Sequence, residues 1–303
     1  MPNVDYWARS AGAGADDYTQ TVCNYMGSED DDTARCVEAM EFLLAAFTRL
    51  EPSTELAEAV GARIEFLLCH AARNVRHDAL DLLTPHLNCG VCAWLVWFSG
   101  AAALIGDGVA PAEVVAKFDA DEWRKRAKLL GYVTMVRPGI EAFTRGGSDV
   151  TFARLACLLE HADPLVRNAA WVIARNCANS LPACKASDLV KAAAGALDNA
   201  HAVATLAAIA KRIPLTAMIL PLVNIVLDEQ ADECSRVHAA DALDKMHPGC
   251  VRDHVAPGRA ARVDAARTAL RAIGDAAREA RRYAETLQTK ALIAGLCKHP
   301  VLD

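Results

Sequence analysis

Aromatic side chains are scarce, at 6% of the 303 residues. β-Branched runs bounded by turn signals are scarce too, while Ala and Leu dominate. That balance argues against a sheet protein and for an all-α chain. The phosphate-binding patterns G-x-x-x-x-G-K-[ST] and G-x-G-x-x-G are missing, as is the nucleophile elbow G-x-S-x-G. The common phosphate-loop and hydrolase mechanisms therefore have no local motif. An excess of cations is also missing. The net charge is −6, which disfavours nucleic-acid binding by the whole surface. Eleven cysteines follow no framework, and their number is odd. Met1–Ser10 does not read as a secretory leader. The expectation is reduced thiols in the cytoplasm, with the nucleus as the alternative.

What is present is helical periodicity, clearest in residues 155–180, LACLLEHADPLVRNAAWVIARNCANS. This stretch reads as two short helices around a tight turn. Asp163 is placed as N-cap and Pro164 at the first helical position, where a missing N–H costs nothing. Val166, Ala169, Ala170, Ile173, Ala174 and Cys177 form the stripe of a buried face. Neither helix is long enough to be stable alone, so the pair needs neighbours. The residues Asp163, Pro164, Val166, Arg167 and Ala170 resemble the second helix of a HEAT repeat, Asp-Pro-x-Val-Arg-x-x-Ala. The resemblance to HEAT/armadillo proteins implies an α-α superhelix, or solenoid. It extends less completely over 187–246, where His201 and Arg236 continue the register from Arg167 at a period near 35.

The remaining chain divides by composition. Residues 1–34 read as an acidic, partly ordered arm containing the Glu29–Asp32 run. Residues 35–145 read as an irregular helical half, and 150–303 as HEAT-like repeats with Arg-rich capping helices. The Gly146-Gly147-Ser148 segment is the expected boundary. Helices are expected at 33–50, 55–70 and 74–83, where Val75-Arg76-x-x-Ala79 repeats the theme. Between Asp81 and Asp107 no Asp, Glu, Lys or Arg occurs. The apolar segment 89–105 could span a bilayer, but its Gly and Ser residues and its lack of basic flanks favour a buried helix. Pro221 is expected to interrupt a helix over 214–227, and Gly274 to bend a long one over 257–299.

Few constellations could carry chemistry. Cys89-Gly90-Val91-Cys92 is the single C-x-x-C. It lacks both a βαβ context for redox work and an evident second half for zinc, with His86, Cys69 and His70 as distant candidates. Buried thiols are expected there, and no metal or cofactor is assigned. HEAT-like repeats also occur in a di-iron hydroxylase family that uses His-Glu dipeptides, and this chain has none.

Two surfaces stand out for binding. Asn168, Trp171 and Arg175 lie opposite the expected stripe, so Trp171 would face the concave groove as an anchor or pack on a neighbouring repeat. Arg267, Arg271, Arg278 and Arg282 align on one face of the last helix, as a solvated face or a dock for an acidic segment. The reading is a non-catalytic scaffold or adaptor that binds another protein. Its alternatives are a nucleic-acid-associated protein using the arginine face, or a metal or redox enzyme centred on Cys89 and Cys92. No membrane association is expected, and the oligomeric state is left open.

Overall fold

A computed structural model describes residues 61–62, 64–86, 101–107, 110–135, 137–213, 215–246 and 250–296. The acidic arm with Glu29–Asp32, the helix expected over 33–50, the first part of that over 55–70, and Cys89–Gly100 lie outside the described residues. Among the described residues the structure is all-α, with no strand. No described helix is long and apolar enough to cross a membrane. Residues 101–105, expected as the tail of a long buried helix, form a short 3-10 turn.

The chain divides into two compact units, Met1–Lys185 and Ala186–Asp303. The Gly146-Gly147-Ser148 segment lies inside the first of these. That unit contains α1 (Arg73–His86), α2 (Ala112–Val115), α3 (Ala120–Val133), α4 (Arg137–Phe143), α5 (Ser148–Leu159) and α6 (Pro164–Cys177). Helix α3 packs on α1, on the 3-10 turn and on α6, while α5 packs on α6. A helical segment over residues 64–68 precedes α1.

The α5–α6 turn has the expected chemistry. Asp163 caps α6 by accepting from the Leu165 amide at 2.8 Å, and Pro164 opens the helix. Val166, Ala170, Ile173, Ala174 and Cys177 are buried. Truncating Ile173 to Ala would remove about 2–5 kcal/mol, the usual range for a filled core site. Arg167 Nη1 donates to the carbonyls of His161 and Ala162, both at 2.7 Å. These carbonyls follow the C-terminal end of α5, where helix partners run out.

The same turn occurs before α1. Arg76 Nη1 donates to His70 O at 2.8 Å and Ala71 O at 2.9 Å. His70 Nδ1 accepts from Ala72 N, as His161 Nδ1 accepts from Asp163 N, both at 3.1 Å. The two turns therefore share a hydrogen-bonding plan as well as Val-Arg-x-x-Ala.

Helix α3 opens at Ala120, one residue before the acidic pair Asp121-Glu122. Asp119 is its cap, accepting from the Glu122 amide at 2.8 Å. The chain then reverses sharply into α4, and only glycine fits at position 139. A Cβ there would stand 1.9 Å from the Val133 carbonyl oxygen.

The second unit contains α8 (Ala200–Ile209), α9 (Ile219–Leu227), α10 (Glu233–Lys245), α11 (Cys250–His254) and α12 (Pro257–Leu296). Helix α7 (Ala183–Ala194) runs across the division and begins four residues before the 187–246 stretch of weaker repeat resemblance. Helix α10 packs against α8, α9 and α12, and buries Ala239 and Leu243 as the periodicity predicts.

Two expectations are corrected here. Pro221 does not interrupt α9, because it sits in the first turn, where its absent N–H has no helical acceptor to lose. Gly274 does not interrupt α12, which is helical from Pro257 to Leu296. A Cβ at 274 would stand 3.0 Å from Val237 Cγ1, so this glycine permits close approach of α12 to α10. Beyond it α12 is bare, with residues 275–280, 282 and 283 all exposed.

Burial also sorts the thiols. Cys177 is buried, and desolvation pushes its pKa up to about 12. Cys157, Cys184 and Cys234 are exposed. At pH 8 the Cys177 thiolate is a negligible fraction, and the thiolate is the reactive form. A maleimide or iodoacetamide time course read by peptide mapping should label Cys157, Cys184 and Cys234 in the native protein. Cys177 should label only after denaturant is added; labelling at a comparable rate would contradict this packing.

Candidate functional site

The unusual chemistry lies where α1 meets the start of α3. The inward stripe of α3 is Glu122, Arg126, Leu129, Leu130 and Val133, with helical spacing but ions at its first two positions. Glu122 and Arg126 are fully buried, and Arg76 from α1 is 1% exposed. Arg76 Nε donates to Glu122 Oε1 at 2.7 Å and its Nη2 to Oε2 at 3.1 Å. Arg126 Nε and Nη2 both donate to Oε1, at 3.1 and 2.9 Å. One carboxylate thus joins two guanidiniums.

The remaining N–H groups reach main-chain carbonyls. Arg126 Nη1 donates to Ala103 O at 3.1 Å and Leu104 O at 3.2 Å, and its Nη2 donates to Leu68 O. The Phe118 ring stacks on both cations, with its centroid 3.8 Å from Arg126 Cζ and 5.2 Å from Arg76 Cζ. Burial lowers the pKa of Arg126, and Glu122 opposes that shift. Cys69 lies in the same environment, and burial pushes its thiol upward.

A second group of ligand atoms opens beside this cluster. His77 Nε2 lies 3.6 Å from Asp119 Oδ2 and 4.0 Å from Glu122 Oε2. Its Nδ1 lies 3.9 Å from Asp121 Oδ2. His77 Nε2 is buried and has no hydrogen-bond partner. His77, Asp119 and Glu122 offer three ligand atoms within 4.8 Å of one another. Asp119 Oδ2 also accepts from Arg73 Nε at 2.6 Å. The Asp119 carboxyl is held down at about 2, first by the Glu122 amide and also by Arg73, against an opposing desolvation effect.

None of these three ligand residues was singled out by sequence. They sit 42 and 45 positions apart, which leaves no local spacing to recognise. The readable signal was the Asp119-x-x-Glu122 pattern at a helix start. A charged residue three positions after a cap, followed by Arg at i+4, falls on the buried stripe of α3.

The expected binding surfaces fare unequally. Asn168 is exposed and Arg175 half-buried. Trp171 is 4% exposed, so of its two expected placements the solvent-facing anchor is the one corrected. The buried arc of α6 is wider than its aliphatic stripe and takes in Trp171.

The arginine face is also corrected in part. Asp244 of α10 accepts from Nε of Arg267 at 2.7 Å and from Nε of Arg271 at 3.0 Å, and from an Nη2 of each. Both arginines therefore tie α12 to α10 within the second unit. Arg278 pairs with Asp275 one turn back, and Arg282 is exposed. Cys89 and Cys92 lie outside the described residues.

No protein-family model matches the chain, and no curated protein sequence matches it.

Two outcomes follow for the buried cluster. Glu122→Gln leaves two buried guanidiniums without their anion and should cost about 3–5 kcal/mol of unfolding free energy in urea titration. Arg73→Ala, at a site 63% exposed, should cost no more than about 1 kcal/mol. Equal losses would show that burial does not set the cost. The acid limb follows from Asp119. Its folded pKa lies below its ordinary 3.8, so its contribution is present above that value and is lost as pH falls towards about 2. Unfolding free energy should therefore fall between about pH 4 and pH 2. Asp119→Asn keeps a capping side chain and should flatten part of that slope.

Proposed function

We propose that this chain is a HEAT-like helical-repeat scaffold that binds another protein and performs no catalysis itself. The observation that carries the reading is a repeated joint. Asp119 and Asp163 each cap a second helix with Oδ1. Each uses Oδ2 to accept from an arginine of the preceding second helix, Arg73 in one case and Arg124 in the other. The turns before α1 and α6 add the same Arg-to-carbonyl closure 91 residues apart. Caps continue at Asn199 and Asp232, so successive caps stand 44, 36 and 33 residues apart. A joint made twice, and a cap repeated at such intervals, suit stacked helix pairs, which present extended binding surfaces.

The surface we assign is the exposed edge of α6, where Leu165 is 58% exposed and Asn168 lies one turn on. Burial of Trp171 moves the anchor role to Leu165. The nucleic-acid reading loses support because Asp244 occupies Arg267 and Arg271.

The test is affinity capture with tagged full-length protein, followed by stoichiometry of the captured protein in a purified complex. Leu165→Asp combined with Asn168→Arg should lower capture of that protein at least about tenfold without changing helical content, as expected for a central interface residue. Arg278→Glu should leave capture intact. No stoichiometric protein partner, or capture indifferent to the α6 pair, would refute the scaffold reading.

A further inference from the structure

We propose that His77, Asp119 and Glu122 form a binding site for a divalent first-row transition-metal ion, which clamps α1 to the start of α3. This goes beyond the scaffold reading and does not depend on it. The argument begins with His77 Nε2, a buried ring nitrogen with no hydrogen-bond partner. A buried polar atom left this way is costly, and native structures seldom keep one without a compensating group. Two carboxylate oxygens face it, from Asp119 at 3.6 Å and Glu122 at 4.0 Å. Both separations are too long for a hydrogen bond. They are close to what shared coordination requires. Tetrahedral ligands at roughly 2.0–2.1 Å from an ion stand about 3.4 Å apart. All three ligand atoms lie within 4.8 Å of one another, so closing the site takes side-chain shifts of up to about an ångström.

The donor set has a chemical preference. One imidazole nitrogen and two carboxylate oxygens suit Zn²⁺ or Mn²⁺ and lack the sulfur that soft ions select. Three protein ligands leave a fourth position for water. Asp121 stands beside the other ring nitrogen, at 3.9 Å from Nδ1, where a carboxylate would orient a ligating histidine. The carboxylates can serve two partners each. Asp119 Oδ2 already takes Arg73, and Glu122 Oε2 takes one N–H from Arg76. A carboxylate oxygen has a further lone pair beyond one such contact.

The local charges are Arg73, Arg76, Lys125 and Arg126 against Asp81, Asp119, Asp121 and Glu122, which balance. An incoming dication unbalances them, and Arg73 is the cation able to yield. Its side chain is 63% exposed and can leave Asp119 for water.

The experiment uses the full chain, stripped with chelator and dialysed, and titrated with Zn²⁺ alone at pH 7.5 by calorimetry. Bound metal is counted by elemental analysis, and Co²⁺ is substituted to read the ligand field. One ion per chain is expected, with a Co²⁺ spectrum of nitrogen and oxygen donors. His77→Ala and Asp119→Asn should each weaken Zn²⁺ binding by at least about tenfold, and Asp119→Asn retains a helix cap, so folding is preserved. Cys89→Ser with Cys92→Ser should leave binding unchanged. Absence of binding at pH 7.5 would overturn the site. So would binding that survives both ligand variants, or that disappears only in the cysteine pair.

Discussion

Three buried charges hold the first unit together. Glu122 sits between Arg76 and Arg126, and all three are at most 1% exposed. Burying ions is expensive, and a lone buried charge is more expensive still. The set carries one excess positive charge. That excess is met by carbonyls rather than by a fourth ion. Arg76 faces His70 O and Ala71 O, while Arg126 faces Leu68 O, Ala103 O and Leu104 O. Most of these carbonyls close a helical turn, where the unsatisfied C=O groups bear partial negative charge. Residues 64–68, the 3-10 turn, α1 and α3 therefore converge on one carboxylate. Each cation is also covered by Phe118, which excludes water while its π face remains attractive to charge.

This arrangement specifies more than it stabilises. Apolar replacements of similar volume for a buried ion set are often neutral or better for stability. What ions add is a cost for every wrong register, because displacement by one turn would strand a charge. For Arg76 that role overlaps with the repeat. Arg76 and Arg167 occupy the same position in their turns and make the same two carbonyl bonds. Arg167 stops there, half-buried. Arg76 goes further inward because Glu122 waits on α3. The difference between the two joints lies in the neighbour and not in the motif.

That contrast explains what could be read from residues alone. The helical class, the Asp163-Pro164 start of α6 and the burial of Val166, Ile173 and Leu243 rest on short-range rules of spacing and capping, which a single sequence displays. The ladder of caps was half legible, since Asp163 announced itself through Pro164 whereas Asp119 precedes an ordinary Ala. Trp171 stayed open between groove and packing because angular position on a helix does not say how wide the neighbours make the buried arc. Pro221 and Gly274 were read as breakers by residue type, although one sits in a first turn and the other beneath Val237. The His77, Asp119 and Glu122 group was invisible, because it requires knowing that α1 packs on the start of α3. Pairing over 42 positions leaves no periodic trace.

The last helix shows how the same limit distorts a charge pattern. Arg267, Arg271, Arg278 and Arg282 read as one stripe because helix geometry aligns them. Asp244 divides them by function. It takes Arg267, where both side chains are 19% exposed, and Arg271, which is 55% exposed. A half-buried carboxylate shared by two guanidiniums is fixed in geometry and weakly screened, so it anchors α12 against α10. Past Gly274 the arginine pairing shown is within the helix. Arg278 turns back to Asp275 on its own helix, with both side chains more than 60% exposed. An exposed pair of that kind contributes about 0–1 kcal/mol and leaves its cation accessible to water and to other anions. The arginine face is thus two faces in series: a structural one ending near Gly274, and a solvated one along the bare part of α12. Any anionic partner of this helix would have to engage the second, since engaging the first means displacing Asp244.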